Sequence, residues 1–311
     1  MSKNAVPLLL YGGVHQLRIR NRTLVHVDAL AKTETVHELD GPSISEVVVE
    51  GSRGFVSIDA LRWLARAGVP LISVDWDGRL LSVNLPDGPK NPHARIAQMR
   101  NYLDPDRRLR VASDIVRAKV RASYLFLRKI GADAEGVAWS SIGAPRTIGD
   151  LLALEGRVAG RYFAALGIER SYPVAKDRTS AVLNYSYSLL AARCLMEVHR
   201  QGLDPLIGLL HEPQNYKTAF VYDLQEPYRW LSDHVALSVL GEVKAAEFAE
   251  RWGFGVRLRE SAARKLVDLF SEKFDAVESH FRRDVSHLAL SFSTDHAPRW
   301  ANERAIERTF A

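Results

Sequence analysis

Residues Pro86–His93 read PDGPKNPH, with three prolines and a glycine in eight positions. Proline removes a backbone donor and fixes φ, so a stretch of this kind ends whatever regular element precedes it. On its N-terminal side lie VPLLLYG, QLRIRNRTLVHVD, ISEVVVEG, VPLISVDW and RLLSVNL. These short, β-branched runs, broken by Gly, Asn and Asp, predict strands. One segment among them differs: SIDALRWLARAG (Ser57–Gly68) has apolar residues at helical spacing and a terminal glycine, which predicts a helix.

On the C-terminal side the pattern is helical. Helices are predicted over Arg107–Ile130, Ile148–Leu166, Ser180–Arg200, Tyr228–Gly253 and Glu260–Arg283. Asp204–Tyr222 is the exception, where PLIGLL and TAFVY predict two short strands around a polar turn. No repeat of fixed period and no low-complexity tract interrupts this order. The expected fold is α+β: a small β-rich N-terminal domain over residues 1–88, followed by a larger, mainly α-helical domain over residues 89–311.

The 311 residues include 47% hydrophobic and 25% charged side chains, ordinary values for a folded chain with a substantial core. A formal charge of +5 and a pI near 9.3 favour acidic partners mildly. The single cysteine, Cys194, lies in an apolar helical pattern, which excludes a disulfide framework or a multi-cysteine zinc site and suits a reducing cytosol. MSKNAVPLLLYGG is too short an apolar opening for a signal peptide or a membrane span. The expectation is a soluble, cytoplasmic protein without a membrane partner.

Within IGDLLALEGRVAGRYFAAL (Ile148–Leu166), Leu151, Val158, Tyr162 and Leu166 share one helical stripe, as rotation by about 100° per residue requires. Glu155 falls in the middle of that stripe, away from Arg157 and Arg161. A carboxylate buried there needs a cation, a metal or a raised pKa. An internal salt bridge satisfies the same requirement.

GLLHEPQNYKTAFVYDLQEPYRW (Gly208–Trp230) adds His211, Asp223 and Glu226. His211 can be a hydrogen-bonded residue at a strand end. Asp223 and Glu226 have the D-x-x-E spacing of a capping box. Pro227, however, suits the first helical position better, which makes Glu226 the N-cap at the positive end of a helix. If Glu155, His211 and Glu226 converge, the donor set suits Mg²⁺ or Mn²⁺, and the imidazole favours Mn²⁺. A competing set, His280, Asp284 and His287, lies along one helix face in SHFRRDVSH but is flanked by Arg282 and Arg283.

RRLRVASDIVRAKVRASYLFLRKI (Arg107–Ile130) carries Arg110, Arg117, Arg121 and Arg128, which stack within about 40° of one helical direction. Leu109, Ala112, Ile115, Val116, Val120, Phe126 and Leu127 take the other side. Such a ladder is either a solvated face or a match for a polyphosphate backbone, because arginine pairs with phosphate in a bidentate way.

Three segments are similar to the CRISPR-associated endonuclease/integrase family, Cas-one. They are SIDALRWLARAGVPLISVDWDGRLL (Ser57–Leu81), LLALEGRVAGRYF (Leu151–Phe163) and LNYSYSLLAARCLMEVHRQGLDPLIGLLHEPQNYKTAFVYDLQEPYR (Leu183–Arg229), the last being the most specific. The resemblance implies that Glu155, His211 and Glu226 are the ligands of a Mn²⁺ or Mg²⁺ ion and the catalytic residues, with Asp223 adjacent. It also implies that the helical domain is catalytic and that a homodimer forms through the N-terminal domains. The small Cas-two protein is the implied partner bridging two dimers. The implied activity is metal-dependent DNA cleavage, together with transesterification by a 3′-hydroxyl of incoming spacer DNA at a CRISPR repeat. Arg110, Arg117, Arg121 and Arg128 would hold phosphates of the double-stranded DNA, with Arg157, Arg161 and Arg229 nearer the chemistry. Two positions depart from the family pattern: Ser180 stands where Asn is frequent, and Ser186 where Gly is common. The rival readings are a casposase-like transposon integrase, a standalone metal-dependent DNase, a hydrolase of small phosphate esters and a non-enzymatic DNA-binding protein.

Overall fold

The valine, leucine and isoleucine runs before residue 86 form strands in the computed structural model. It describes residues 5–38, 43–51, 53–85, 91–138, 140, 144–215, 217–251, 255–294 and 297–310. The boundary stretch PDGPKNPH lies outside these over residues 86–90. Strand β1 (Val6–Tyr11) is followed by β2 (His15–Arg20) and β3 (Thr23–Asp28). The last two pair antiparallel with Arg20 opposite Thr23. Their two-residue turn places Asn21 at φ 50° and Arg22 at φ 69°, the left-handed conformation that fits the twist of a tight hairpin.

Strands β4 (Thr33–His37), β5 (Ile44–Glu50) and β6 (Gly54–Val56) precede helix α1 (Ile58–Ala67), then β7 (Leu71–Val74) and β8 (Leu80–Asn84). One sheet has the order β1-β5-β7-β8 and the other β4-β3-β2-β6. The first is parallel through β5 and β7 and closes with β8 antiparallel. Helix α1 starts where the Ser57 side chain accepts the Ala60 N–H and stops at Gly68, whose φ of 67° ends it. Its Trp63 and Leu64 join Leu10, Leu17, Leu24, Ile44 and Val47 in one core, as helical spacing requires.

Past residue 90 the elements are mainly helical: α2 (Pro92–Leu103), α3 (Pro105–Lys129), α4 (Ile148–Ala165) and α5 (Arg178–Arg200). Helix α2 was not expected from the sequence pattern. Its Pro92 takes the first turn and Asn91 caps Ala94, so the final proline of the boundary stretch opens a helix. Helix α5 starts before Ser180, because Asp177 accepts the Ser180 N–H at 2.7 Å.

The two strands expected within Asp204–Tyr222 do not form. TAFVY lies largely in helix α6 (Ala219–Gln225), while residues 204–211 have no regular structure. Side chains take the place of a strand ladder there. Gln98 donates to the carbonyls of Asp204 and Ile207 and accepts the Asp204 N–H. Arg108 donates to the Leu209 carbonyl. With these groups satisfied, the apolar run needs no neighbouring strand.

The helix expected to reach Gly253 ends at Glu242 as α7 (Arg229–Glu242). Lys244 is extended, and β9 (Phe248–Arg251) pairs antiparallel with β10 (Gly255–Leu258), while Gly253 lies outside the described residues. Burial of Phe248, Val256 and Leu258 sustains this strand pair against the helical propensity of Ala249. Helices α8 (Glu260–Ser291) and α9 (Asn302–Thr309) complete the chain.

Two compact units are present: residues 1–88, 171–192 and 235–271 form one, and residues 89–170, 193–234 and 272–311 form the other. Cys194 is buried. Among the described residues, no helix is long and apolar enough to cross a membrane.

Candidate active site

Glu155 lies in α4 within the stripe formed by Leu151, Val158 and Tyr162, all buried. A carboxylate there needs a cation, and the structure supplies one from the neighbouring helix. Lys119 of α3 places Nζ 2.5 Å from Glu155 Oε1. The same ammonium pairs with Glu226 Oε2. Arg229 Nη1 takes the other Glu226 oxygen at 2.9 Å. Exposure of the side chains is 14% for Lys119, 15% for Glu155 and 4% for Glu226, so this cluster sits at the edge of the core.

Burial opposes the Lys119 charge, but Glu226 and then Glu155 outweigh it and raise its pKa. Burial alone would raise the Glu226 carboxyl. The charges of Arg229 and Lys119 reverse this and hold it well below the usual carboxylate range. Both groups are therefore ionised at neutral pH.

Asp223 has a different task. Its Oδ2 accepts the N–H groups of Leu209 and Leu210 at 2.5 and 3.0 Å. Its Oδ1 accepts the N–H of His211 at 2.9 Å and the ring Nδ1–H of His211 at 2.8 Å. Four donors thus converge on one fully buried carboxylate, which ties α6 to the segment carrying His211. An ionised carboxylate only accepts hydrogen bonds, so Nδ1 carries a proton, and in the neutral ring Nε2 keeps its lone pair. Burial pulls the His211 pKa down, but the Asp223 hydrogen bond and the charges of Asp223 and Glu226 raise it overall.

Tight packing fixes the approach of this segment. A Cβ on Gly208 would lie 2.4 Å from the His211 carbonyl oxygen and 2.8 Å from Ala219 Cβ. Only glycine allows the two backbones to come this close. Farther along, Arg108 Nη2 pairs with Glu212 at 2.7 Å.

Glu226 does not cap a helix N-terminus. Its backbone is helical, at φ −52° and ψ −47°, and it begins a single 3₁₀ turn (Glu226–Tyr228) between α6 and α7. That turn accommodates Pro227, which cannot supply an α-helical N–H. It leaves the Glu226 side chain aimed at Lys119 and Arg229 instead of at the backbone.

Among the described residues, no three His, Cys, Asp or Glu side chains stand close enough together to hold a metal ion as placed. What the structure assembles is a pair of carboxylates sharing one cationic group, with an oriented imidazole on the Asp223 clamp. The donor types fit a hard or borderline divalent cation, two oxygens and one nitrogen, and Lys119 Nζ shows that a single cation touches both carboxylates. A cavity of about 20 Å³ beside Lys119 and Glu155 is lined by Val158, Ala159, Phe163 and the hydrogen-bonded pair Tyr162 and Asp233. It has room for about one water molecule.

Two members of the competing set along α8, Asp284 and His287, are otherwise engaged. Asp284 is buried, accepts the Tyr228 hydroxyl at 2.8 Å and accepts the Ala301 N–H through both oxygens. His287 Nδ1 is bonded to the Arg299 carbonyl. Of the basic residues, Arg110, Arg121, Arg128, Arg157 and Arg161 are exposed and Arg117 is half-buried. Arg117 pairs with Asp114 at 3.0 Å and Arg121 with Glu303 at 3.4 Å. Sequence reasoning missed Lys119, although it lies in the apolar stripe of α3, four residues after Ile115 and three after Val116. Like Glu155, it is a charge placed by helical periodicity among buried apolar neighbours, and that signal could have found it.

Fold and site together define an α+β protein whose helical part builds an acidic, cation-holding centre. Residues 10–272 match the profile of the family described as CRISPR associated protein Cas1. The chain belongs to that family. It is 32% identical over 240 residues to CRISPR-associated endonuclease Cas1 3 of Thermus thermophilus, covering 72% of each chain. A casposase bound to integration product superimposes with a TM-score of 0.87 at 25% identity, covering 96% of this chain and 93% of the other. A Cas6-RT-Cas1–Cas2 complex superimposes with a TM-score of 0.76 at 17% identity, covering 95% of this chain and 36% of the other.

Proposed function

We propose that this protein is the DNA integrase of CRISPR adaptation, an enzyme that cleaves DNA and inserts new spacers by strand transfer. The observation that carries the reading is the pair of carboxylates, Glu155 and Glu226, gathered on one cationic group. Family membership and the likeness to a casposase bound to integration product support it.

Glu155, Glu226 and His211 Nε2 would hold one Mn²⁺ or Mg²⁺ ion. When bound, such an ion polarises a phosphoryl oxygen and makes a hydroxyl or water a better nucleophile. The protein's own residues do the rest. Asp223 keeps the proton on His211 Nδ1 and the ring in place. Arg229 neutralises the Glu226 oxygen it contacts. In strand transfer, the 3′-oxygen of the incoming DNA forms a new P–O bond and loses its proton. The 3′-oxygen of the broken strand departs and gains one. Water in place of the hydroxyl gives cleavage. Arg110, Arg117, Arg121 and Arg128 would bind DNA phosphates, with Arg157 and Arg161 closer to the reacting strand.

In the assembled form, residues 1–88 would pair two copies of this chain, residues 89–311 would carry catalysis, and a small Cas2-type protein would bridge two dimers. With DNA as its substrate, the protein would work in the cytoplasm. The test is an integration assay with a short duplex bearing 3′-hydroxyls and a supercoiled plasmid, in Mn²⁺, Mg²⁺ or EDTA. Alanine at Glu155, His211 or Glu226 should abolish strand transfer and leave DNA binding largely intact. Normal integration by any one variant removes that residue from the mechanism.

The TM-score of 0.87 favours one second reading, a casposase-like integrase of a mobile element. Such an enzyme would insert its own element's terminal DNA without a Cas2-type protein. Integration that requires that protein and a CRISPR repeat excludes it.

A further inference from the structure

Lys119 is not a surface lysine that happens to lie near an acid. It projects from the buried face of α3, next to Val116 and Val120. The backbone beside it is pinned, because the Ala118 carbonyl accepts a buried hydrogen bond from Asn302 at 2.9 Å. Its ammonium pairs with both Glu155 Oε1 and Glu226 Oε2. Arg229 occupies the remaining Glu226 oxygen.

A divalent ion shared by these two carboxylates would need oxygens at about 2.0–2.2 Å, the space the ammonium now fills. Two cations repel strongly at such separations in a partly desolvated site. One must leave, and a lysine on a flexible four-carbon stem is free to swing while its backbone stays fixed. Once Glu155 and Glu226 are engaged, the nearest new anion is a phosphate of bound DNA.

We propose that Lys119 is a positioning residue that couples cation loading to DNA binding. Without DNA it competes for Glu155 and Glu226 and weakens metal affinity, and with DNA it transfers its charge to a phosphate and releases them. This inference rests on the reading that Glu155, His211 and Glu226 hold the divalent ion. By reciprocity, DNA must tighten metal binding as much as metal tightens DNA binding through this residue.

The test measures Mn²⁺ binding to the whole protein by electron paramagnetic resonance, with and without a short duplex whose 3′ ends lack hydroxyls. Lys119→Met removes the charge and keeps the length. Lys119→Gln also removes the charge but can still hydrogen-bond both carboxylates, which protects folding. Lys119→Arg keeps a cation, and Glu155→Gln reports whether binding occurs at this site.

In the wild type, DNA should raise Mn²⁺ affinity about tenfold, within the usual range of coupling between sites. Without DNA, Lys119→Met and Lys119→Gln should bind Mn²⁺ about tenfold more tightly than the wild type, and adding DNA should change little. Lys119→Arg should stay weak. Affinity in the Met and Gln variants equal to or below the wild type, with Glu155-dependent binding intact, overturns the role of Lys119 alone. Mn²⁺ binding that is indifferent to Glu155→Gln overturns the metal-site reading and this inference with it.

Discussion

Asp223 Oδ1 accepts two hydrogen bonds from one residue, His211: the backbone N–H at 2.9 Å and the ring Nδ1–H at 2.8 Å. Position and tautomer of the imidazole are therefore set by one buried atom. Asp223 is committed to this task, because its other oxygen is taken by Leu209 and Leu210.

Asp223→Asn should lower strand transfer and metal affinity by about 10–100-fold, the usual effect of losing a partner that orients a ligand. An amide cannot accept all four N–H bonds, so stability should fall as well, by about 1–3 kcal/mol. Integration kinetics and Mn²⁺ titration on the folded variant check the first point, and urea unfolding checks the second. Wild-type rates would show that His211 needs no such orientation.

Glu226 is nearly enclosed, whereas Glu155 keeps some exposure to solvent. Glu226→Ala leaves Lys119 and Arg229 facing a site without its more buried charge. It should cost about 3 kcal/mol of stability, as for one half of a buried ion pair. Glu155→Ala should cost about 1 kcal/mol, because the group is more exposed and Lys119 keeps Glu226. Equal costs by chemical unfolding would contradict this ordering.

Much of this centre was legible in the sequence. Glu155 stood out because helical periodicity placed a carboxylate among Leu151, Val158 and Tyr162, and the implied cation is present. Its identity was missed because a lysine inside an arginine-rich helix reads as one more surface charge. Pro227 read as a first helical residue makes Glu226 an N-cap, but a proline's local preference cannot reveal that the chain is already helical before it. The β-rich start followed its strand signals and the Ser57 and Gly68 caps closely. PLIGLL and TAFVY were misread because short apolar runs have no period long enough to separate strand from helix. What holds residues 204–211 without a ladder is Gln98 and Arg108, both about a hundred residues away, and Asp223 in the helix that follows.

Replacing Arg110 and Arg128 together with alanine should weaken DNA binding at low salt and flatten its salt dependence. The slope of log affinity against log salt should fall by about 0.9 for each phosphate that is no longer neutralised. Fluorescence anisotropy at several ionic strengths measures it. An unchanged slope would make the exposed face of α3 an ordinary solvated surface.

His15 and His26 share a hydrogen bond of 3.2 Å between buried rings. Burial, and then the neighbouring His15, push the His26 pKa down to about 4 from 6.5. Between pH 6.5 and 4 the unfolded imidazole is protonated and the folded one is not. The unfolded state then binds more protons, so stability falls as pH falls through this window. The loss should be about 1–3 kcal/mol, allowing for solvent screening, and should shrink in His26→Asn. Denaturant unfolding from pH 7 to 4 on both proteins gives the answer. Parallel curves would refute the assignment.

Asn302 donates one amide to two carbonyls, Ala118 at 2.9 Å and Pro227 at 3.1 Å. Each acceptor is the chain neighbour of a residue in the acidic cluster, Lys119 or Glu226. The helix that Asn302 opens therefore acts as a rivet behind the acidic cluster, gauging the gap between ammonium and carboxylate from the far side of the backbone. A protein cut short before that asparagine would still possess Lys119, Glu155, His211, Asp223, Glu226 and Arg229, yet would be without the caliper that keeps them in register.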